Sequence, residues 1–303
     1  MIFRLLLPQI LSLKLAAIDI GSNAIRLQIT NVIESEQGNY FKKLEYIRFP
    51  LRLGNDVFSK GTISKPVADK FTELMRAFKI LIDLYEVKDY MAIATSAMRE
   101  AENSSDIIDR VKQECDLNIE IIPGEKEAQM IDDALSDHLE DENHIHIDVG
   151  GGSTEINLFE NRKKTNSASF RLGSVRRLKG MDTVEEWKEI ETWVKENTSL
   201  KKTYIAIGTG GNIGKFYELS EKKEGKSLKL QQIEAIQTYI NGLSLEERQI
   251  QLHLNPDRAD VIIPASEIYI AIMKWAKAEK IIVPQVGLKD GVMKLLYEKH
   301  LSE

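Results

Sequence analysis

Residues 144–159 read HIHIDVGGGSTEINLF. An apolar run ends on a carboxylate, Asp148. Three glycines follow, then a second carboxylate, Glu155, and an alternating apolar pattern resumes. Packing alone gives no reason to end a buried strand on a charge, nor to follow it with the residues that cost the most backbone entropy to fix. Glycines let backbone N–H groups close on a ligand, and a turn of exposed N–H groups is a nest for an anion. Carboxylates beside a phosphate repel it unless a cation lies between. Asp148 and Glu155, seven residues apart, can converge across a tight hairpin. Mg²⁺ is typically held by one or two carboxylates plus phosphate oxygens. The stretch therefore reads as a phosphate cradle, Gly150, Gly151, Gly152 and Ser153, with a divalent-ion clamp, Asp148 and Glu155. The plainer alternative is a glycine-rich hairpin with Asp148 capping its turn.

The sequence repeats this plan. IDIGSNAIRLQIT (18–30) matches IDVGGGSTEINLF (147–159), and Asp19 and Asp148 lie 129 residues apart, the length of a domain. In the first copy Gly21, Ser22 and Asn23 take the place of the glycine turn, so the halves are not chemically equal. A second pair follows in the same order. Tyr90 to Arg99 is a buried strand running into a small polar loop, and Tyr204 to Asn212, with Gly208, Gly210 and Gly211, does the same. Helical periodicity covers 66–85, 125–138, 184–195, 264–278 and 288–301, alternating with short strands at 119–122 and 280–283. This predicts an α/β chain of two domains with mixed sheets flanked by helices and a cleft between them. The expected domains are 1–126 and 127–303, with the helix at 125–138 as the hinge across the cleft.

The 303 residues carry a net charge of −6, which argues against a general nucleic-acid coat. A single cysteine, Cys115, excludes an intrachain disulfide and fits a reducing cytoplasm. The N-terminal run MIFRLLLPQILSLKLAAIDI is broken by Pro8 and Gln9 and is too short to span a bilayer. It reads as an apolar extension ahead of a domain that starts near Leu13, so no membrane partner is expected. His144 and His146, two apart on one strand face, read as ordinary strand histidines.

Taken in order, IDIGSNAIRL (18–27), RLGNDV (52–57), ATSAMREA (94–101), IIPGEKEAQMI (121–131), IDVGGGSTEI (147–156), FRLGSVRRL (170–178), GTGGNI (208–213), PDRADVIIPA (256–265) and GLKDGVM (287–293) resemble the exopolyphosphatase / guanosine pentaphosphate phosphohydrolase family. That family lies within the acetate and sugar kinase, actin and heat-shock chaperone superfamily. The resemblance implies a duplicated actin-like (ribonuclease H-like) fold and hydrolysis of a terminal phosphoanhydride, in inorganic polyphosphate or guanosine pentaphosphate. It implies Glu127 as the catalytic group that activates water, Arg99 as a phosphate-binding arginine, and Asp148 and Glu155 as ligands of Mg²⁺ or another divalent cation. Gly21, Ser22, Asn23, Gly150, Gly151, Gly152, Ser153, Gly208, Gly210 and Gly211 would line the phosphate cleft. Spacing alone does not separate Glu125 from Glu127; the following Ala128 favours Glu127. Arg52, Arg176 and Arg258 are further candidate cations. Longer family members carry extra helical C-terminal domains that this sequence lacks, so grip on long polymers does not carry over, and a short form could gain binding surface as a homodimer. The rival readings are a small-molecule ATP-dependent kinase, an actin-type structural protein and a non-catalytic alarmone-binding protein.

Overall fold

The computed structural model describes residues 12–34, 38–199, 201–223 and 225–302. The expected apolar extension at 1–11 lies outside the described residues. The first half comprises β1 (Ser12–Ile20), β2 (Ile25–Ile33), β3 (Tyr40–Phe49), α1 (Leu53–Lys60), α2 (Lys65–Leu84), β4 (Asp89–Ala94), α3 (Ser96–Glu100), α4 (Ser104–Cys115), β5 (Ile119–Ile121) and α5 (Gly124–Leu135). The second half begins with β6 (Asn143–Val149), β7 (Thr154–Glu160), β8 (Lys163–Phe170), α6 (Ser174–Leu178), α7 (Val184–Asn197), β9 (Tyr204–Thr209) and α8 (Gly211–Leu219). It continues with β10 (Leu228–Lys229), α9 (Leu230–Asn241), α10 (Leu245–Gln251), α11 (Pro256–Ala259), α12 (Ile262–Trp275), β11 (Lys280–Ile282) and α13 (Leu288–Ser302).

The duplication read from the sequence is present in the strand order. One sheet runs β3-β2-β1-β4-β5 and the other β10-β11-β9-β6-β7-β8, so β8-β7-β6-β9-β11 retraces the first sheet and β10 is an added edge. In each, a hairpin of antiparallel strands is followed by two parallel neighbours. The strands β3 and β8 complete these hairpins into meanders. The sequence reading left them out because KKLEYIRF and KKTNSASF carry charged and polar side chains at exposed edge positions. Such edges are kept polar because unpaired N–H and C=O groups invite unwanted pairing.

Helices form where apolar periodicity and end signals agree. α2 begins with Pro66 in its first turn and buries Phe71, Met75, Phe78 and Ile82 on one face. α7 opens with a capping box in which Thr183 Oγ1 accepts from the Glu186 N–H and Glu186 accepts from the Thr183 N–H.

Three apolar clusters hold the fold. One lies against each sheet, and a third fills the space between the halves. The third joins Leu15, Ala17 and Ile93 of the first sheet to Ile131 and Leu135 of α5, Val292 and Leu296 of α13, and Ile207 of the second sheet. α5 packs on β7 and β8 and also on α13, and α13 in turn packs on β1 and β4. The division expected at 126/127 thus falls in the first turn of a helix shared by both sheets, and the last helix returns to the first sheet. Close approach of α5 and α13 depends on Gly291, where a Cβ would stand 1.8 Å from the Met130 carbonyl oxygen.

Candidate active site

The two glycine hairpins have the same backbone. The Gly21 N–H donates to the Ala24 carbonyl (3.2 Å), and the Gly150 N–H donates to the Ser153 carbonyl (3.0 Å). Their tips meet across the cleft: a Cβ on Gly151 would lie 2.8 Å from Ser22 Cβ and 3.4 Å from the Asn23 nitrogen. No residue larger than glycine fits there without separating the halves.

The strand partners of the two aspartates differ. In the first hairpin Asp19 is directly opposite Arg26, and Arg26 Nη1 donates to Asp19 Oδ2 at 2.6 Å. In the second, Asp148 is directly opposite Glu155. Burial raises the Asp148 pKa to about 6, and burial together with the charge of Asp148 raises that of Glu155 to about 7. Glu127, in the first turn of α5, is raised well above the usual carboxylate range by burial and then by the charges of Glu155 and Asp148, against the opposing pull of Arg99. Its Oε2 is buried without a hydrogen-bond partner among the described residues, and Arg99 Nη1 stands 3.9 Å away. Three acidic groups thus converge with too little positive charge to balance them.

A relay of neutral groups fixes Asp148 from behind. The Asn157 amide donates to His146 Nδ1 (3.1 Å) and to Asp132 Oδ1 (2.8 Å), and His146 Nε2 lies 2.9 Å from Thr209 Oγ1. Burial pushes the His146 pKa down to about 3, so the ring is neutral. With Nδ1 accepting, Nε2 carries the proton and donates to Thr209, whose hydroxyl then donates to the Asp148 carboxylate. His146 is a strand histidine, as read, with its ring committed to this chain. His144, on the same face, has both ring nitrogens buried without side-chain hydrogen-bond partners among the described residues.

The cleft opens into a cavity of about 730 Å³ between the sheets. Gly21, Ser22, Asn23, Glu127, Asp148, Gly150, Gly151, Ser153, Gly210 and Gly211 all line it. Glu155 lies beneath the turn, where its Oε1 accepts from Ser169 Oγ at 3.0 Å. Arg99 and Gly152 line a separate, smaller cavity. Gly208 lines neither; a Cβ there would meet Ile281 and Ile213, so it serves packing under β9. Of the further candidate cations, Arg258 lines the large cavity, and among the described residues no ion pair holds it. Arg52 is tied to Asp260 at 2.8 Å. Arg176 is buried under Phe58, donates from Nε to the Gly152 carbonyl (2.7 Å) and pairs with Glu100, so it holds the glycine turn in place. The sequence reading passed over Arg26, Thr209 and Ser169. Arg26 was visible seven residues after Asp19, the spacing of Glu155 from Asp148; Thr209 and Ser169 are set beside the carboxylates by sheet register, which the sequence does not display.

Among the described residues no group of three or more His, Cys, Asp and Glu side chains is placed to hold a metal ion. The donor set is two opposed carboxylates lacking a countercharge. That fits Mg²⁺, which keeps much of its shell as water and phosphate oxygens. No helix of the described residues is long and apolar enough to cross a membrane.

The family model described as the Ppx/GppA phosphatase family matches residues 32–300. The bifunctional 3-dehydroquinate synthase/phosphatase of Fusobacterium nucleatum is 30% identical, over 93% of this chain and 46% of its own length, so the chain spans about half of that relative. Exopolyphosphatase 1 of Mycobacterium bovis is 22% identical over 93% of this chain and 87% of its own. The crystal structure of the Aquifex aeolicus Ppx/GppA family member superposes with a TM-score of 0.76 at 26% identity, covering 95% of this chain and 99% of that one.

Proposed function

The chain belongs to the Ppx/GppA phosphatase family, and from that premise we propose that it releases the terminal phosphate of inorganic polyphosphate by attack of water. The printed name of the exopolyphosphatase relative favours that substrate; guanosine pentaphosphate, which ends in the same phosphoanhydride, is the second substrate to test. The observation that carries the reading is Glu127: a buried carboxylate whose Oε2 has no hydrogen-bond partner among the described residues, close to Asp148 and Glu155 and lining a cleft walled by two glycine turns.

The N–H groups of the two turns and the Arg258 guanidinium hold the terminal phosphate. Asp148 and Glu155 would hold Mg²⁺, which supplies positive charge to the phosphate oxygens when bound. Glu127 orients a water in line with the bridging bond. The water oxygen bonds to the terminal phosphorus as the bridging P–O bond breaks. The bridging electron pair leaves with the shortened chain, and the water proton passes to the Glu127 carboxylate. A pKa raised by burial and neighbouring charge makes Glu127 a stronger base than an exposed carboxylate. The Asn157–His146–Thr209 relay keeps Asp148 turned toward the cleft. The buried, free Cys115 accords with a cytoplasmic location.

The test is phosphate release, with Mg²⁺, from polyphosphate, guanosine pentaphosphate, and ATP with and without sugar or acetate acceptors. Glu127→Gln should lower kcat by about 10²–10⁴-fold while leaving KM nearly unchanged. Transfer of phosphate only to an acceptor would identify a kinase, and a Glu127→Gln variant at wild-type rate would refute the assigned base.

A further inference from the structure

Behind Asp148 and Glu155 the second sheet carries another polar row. Strand register sets His146 directly opposite Asn157, and Asn157 directly opposite Ser167. His146 and Asn157 are fully buried, in places where apolar side chains would pack at less cost. No side-chain polar atom of Asn157, His146 or Thr209 is left buried without a partner. Fully satisfied buried networks rigidify a core and specify one arrangement of it.

Each role in the row is forced by its neighbour. Asp132, ionised beside Lys164, only accepts, so the Asn157 atom that faces it at 2.8 Å is the amide nitrogen. The carbonyl oxygen is then left to the Ser167 hydroxyl, which donates to it at 2.6 Å. The second amide proton goes to His146 Nδ1 (3.1 Å), Nε2 donates to Thr209 (2.9 Å), and Thr209 donates to Asp148.

The far end of the row lies outside the sheet. Asp132 belongs to α5, the helix that carries Glu127, about 7.5 Å further along its axis. Lys164 of β8 donates to Asp132 Oδ2 (2.6 Å) and to Gln129 Oε1 (2.9 Å), so two strands fasten the helix at this point. Apolar packing, such as α5 makes with α13, has no preferred direction, whereas a hydrogen bond fixes distance and angle.

We propose that Asn157 is the positioning residue that sets Glu127 and Asp148 relative to each other. One proton of its amide holds the helix of Glu127. The other orients the Asp148 carboxylate through His146 and Thr209. Glu127 comes from a helix and Asp148 from a strand, and this amide is a hydrogen-bonded link between the two. The role of Glu127 rests on the hydrolytic reading above; the link itself does not.

The experiment uses the full chain and begins without metal. The nitrogen-15 spectrum of the His146 ring should show a bare Nδ1 and a protonated Nε2. A protonated Nδ1 in the wild type overturns the proposal, and this measurement stands even if a variant folds poorly. Asn157→Asp keeps the shape but cannot donate, so Nδ1 should gain a proton. That variant should weaken Mn²⁺ binding, read by electron paramagnetic resonance, about 10–100-fold, and so should Thr209→Val. Because both lie on one path, the double variant should bind Mn²⁺ no more weakly than Thr209→Val alone. A further loss by the full factor overturns the path. At saturating Mg²⁺, Asn157→Asp should lower kcat about 10–100-fold and leave KM for polyphosphate within about twofold. Its kcat loss should exceed that of Thr209→Val, which cuts only the arm to Asp148. Equal losses would overturn the hold on α5 and the proposal with it. A wild type that passes the metal and ring tests yet cleaves no phosphoanhydride overturns the hydrolytic reading and leaves the link standing.

Discussion

The two glycine hairpins share a backbone and differ in the residue that faces the aspartate, an arginine in one and a glutamate in the other. Each closes with the same N–H to carbonyl bond, and each sets an acidic strand-end residue opposite the residue seven positions later. Opposite Asp19 the first hairpin has Arg26, and the pair is internally neutral. Opposite Asp148 the second has Glu155, and the pair is left electrostatically unfinished. Duplication supplied two equivalent turns. A single position decides that one turn carries an internal ion pair and the other two buried carboxylates.

The strongest way to break this contrast is Glu155→Arg, which gives the second hairpin the pairing of the first. It should lower kcat on the order of 10²–10³-fold, comparable to losing one preorganised charge-stabilising group, and abolish Mn²⁺ binding measured by electron paramagnetic resonance. Tight Mn²⁺ binding by that variant would place the ion elsewhere.

A smaller effect lies in stability. The pKa values of Asp148 and Glu155 are raised on folding to about 6 and about 7, so between about pH 4 and 7 the folded chain binds more protons than the unfolded chain. Without divalent ions, stability should therefore fall as pH rises through that window, by on the order of 3 kcal/mol, since a shift of about two units on one site is worth that much. Urea titrations at a series of pH values read this directly. Mg²⁺ should remove the slope, as should Glu155→Gln in part; a slope of opposite sign would show that the pair is neutralised from within the protein.

The smallest effect belongs to the first hairpin. Arg26→Met leaves the buried Asp19 without its partner; because Arg26 itself is partly exposed, the loss should cost about 1–2 kcal/mol in denaturation, less than the loss of a fully buried pair. Because Arg26 also lowers the Asp148 pKa, the same variant should tighten the dependence of turnover on Mg²⁺. No change in either would mean that the hairpins do not sense each other across the cleft.

Much of this site was legible in the sequence because it is local. Asp148, the glycines and Glu155 sit within eight residues, and a tight hairpin between them sets the two carboxylates opposite each other on one face. The first copy was legible by repetition. What stayed hidden is set by contacts between distant segments. Arg176 reads as a candidate cation of the cleft, and a five-residue helix has too little periodicity to show that its side chain is buried in packing. Gly208 resembled its neighbours Gly210 and Gly211, and only the packing of Ile281 and Ile213 against it separates their roles. Arg99, on α3, lines the smaller cavity with Gly152 and Ser153 of the second turn and stands 3.9 Å from Glu127, a placement set by the packing of α3 and not shown by the sequence. The polar strands β3 and β8 lack the alternation that marks a half-buried strand.

The return of α13 to the first sheet also bears on how the chain is made. Leu15, Ala17 and Ile93 stay uncovered until Val292 and Leu296 have been synthesised. The first half therefore leaves the ribosome with part of that apolar face bare, and its completion waits until α13 has been made. During that interval it is a natural client for chaperones, and truncations that remove residues 288–302 should send the whole chain into aggregates instead of leaving an intact N-terminal half.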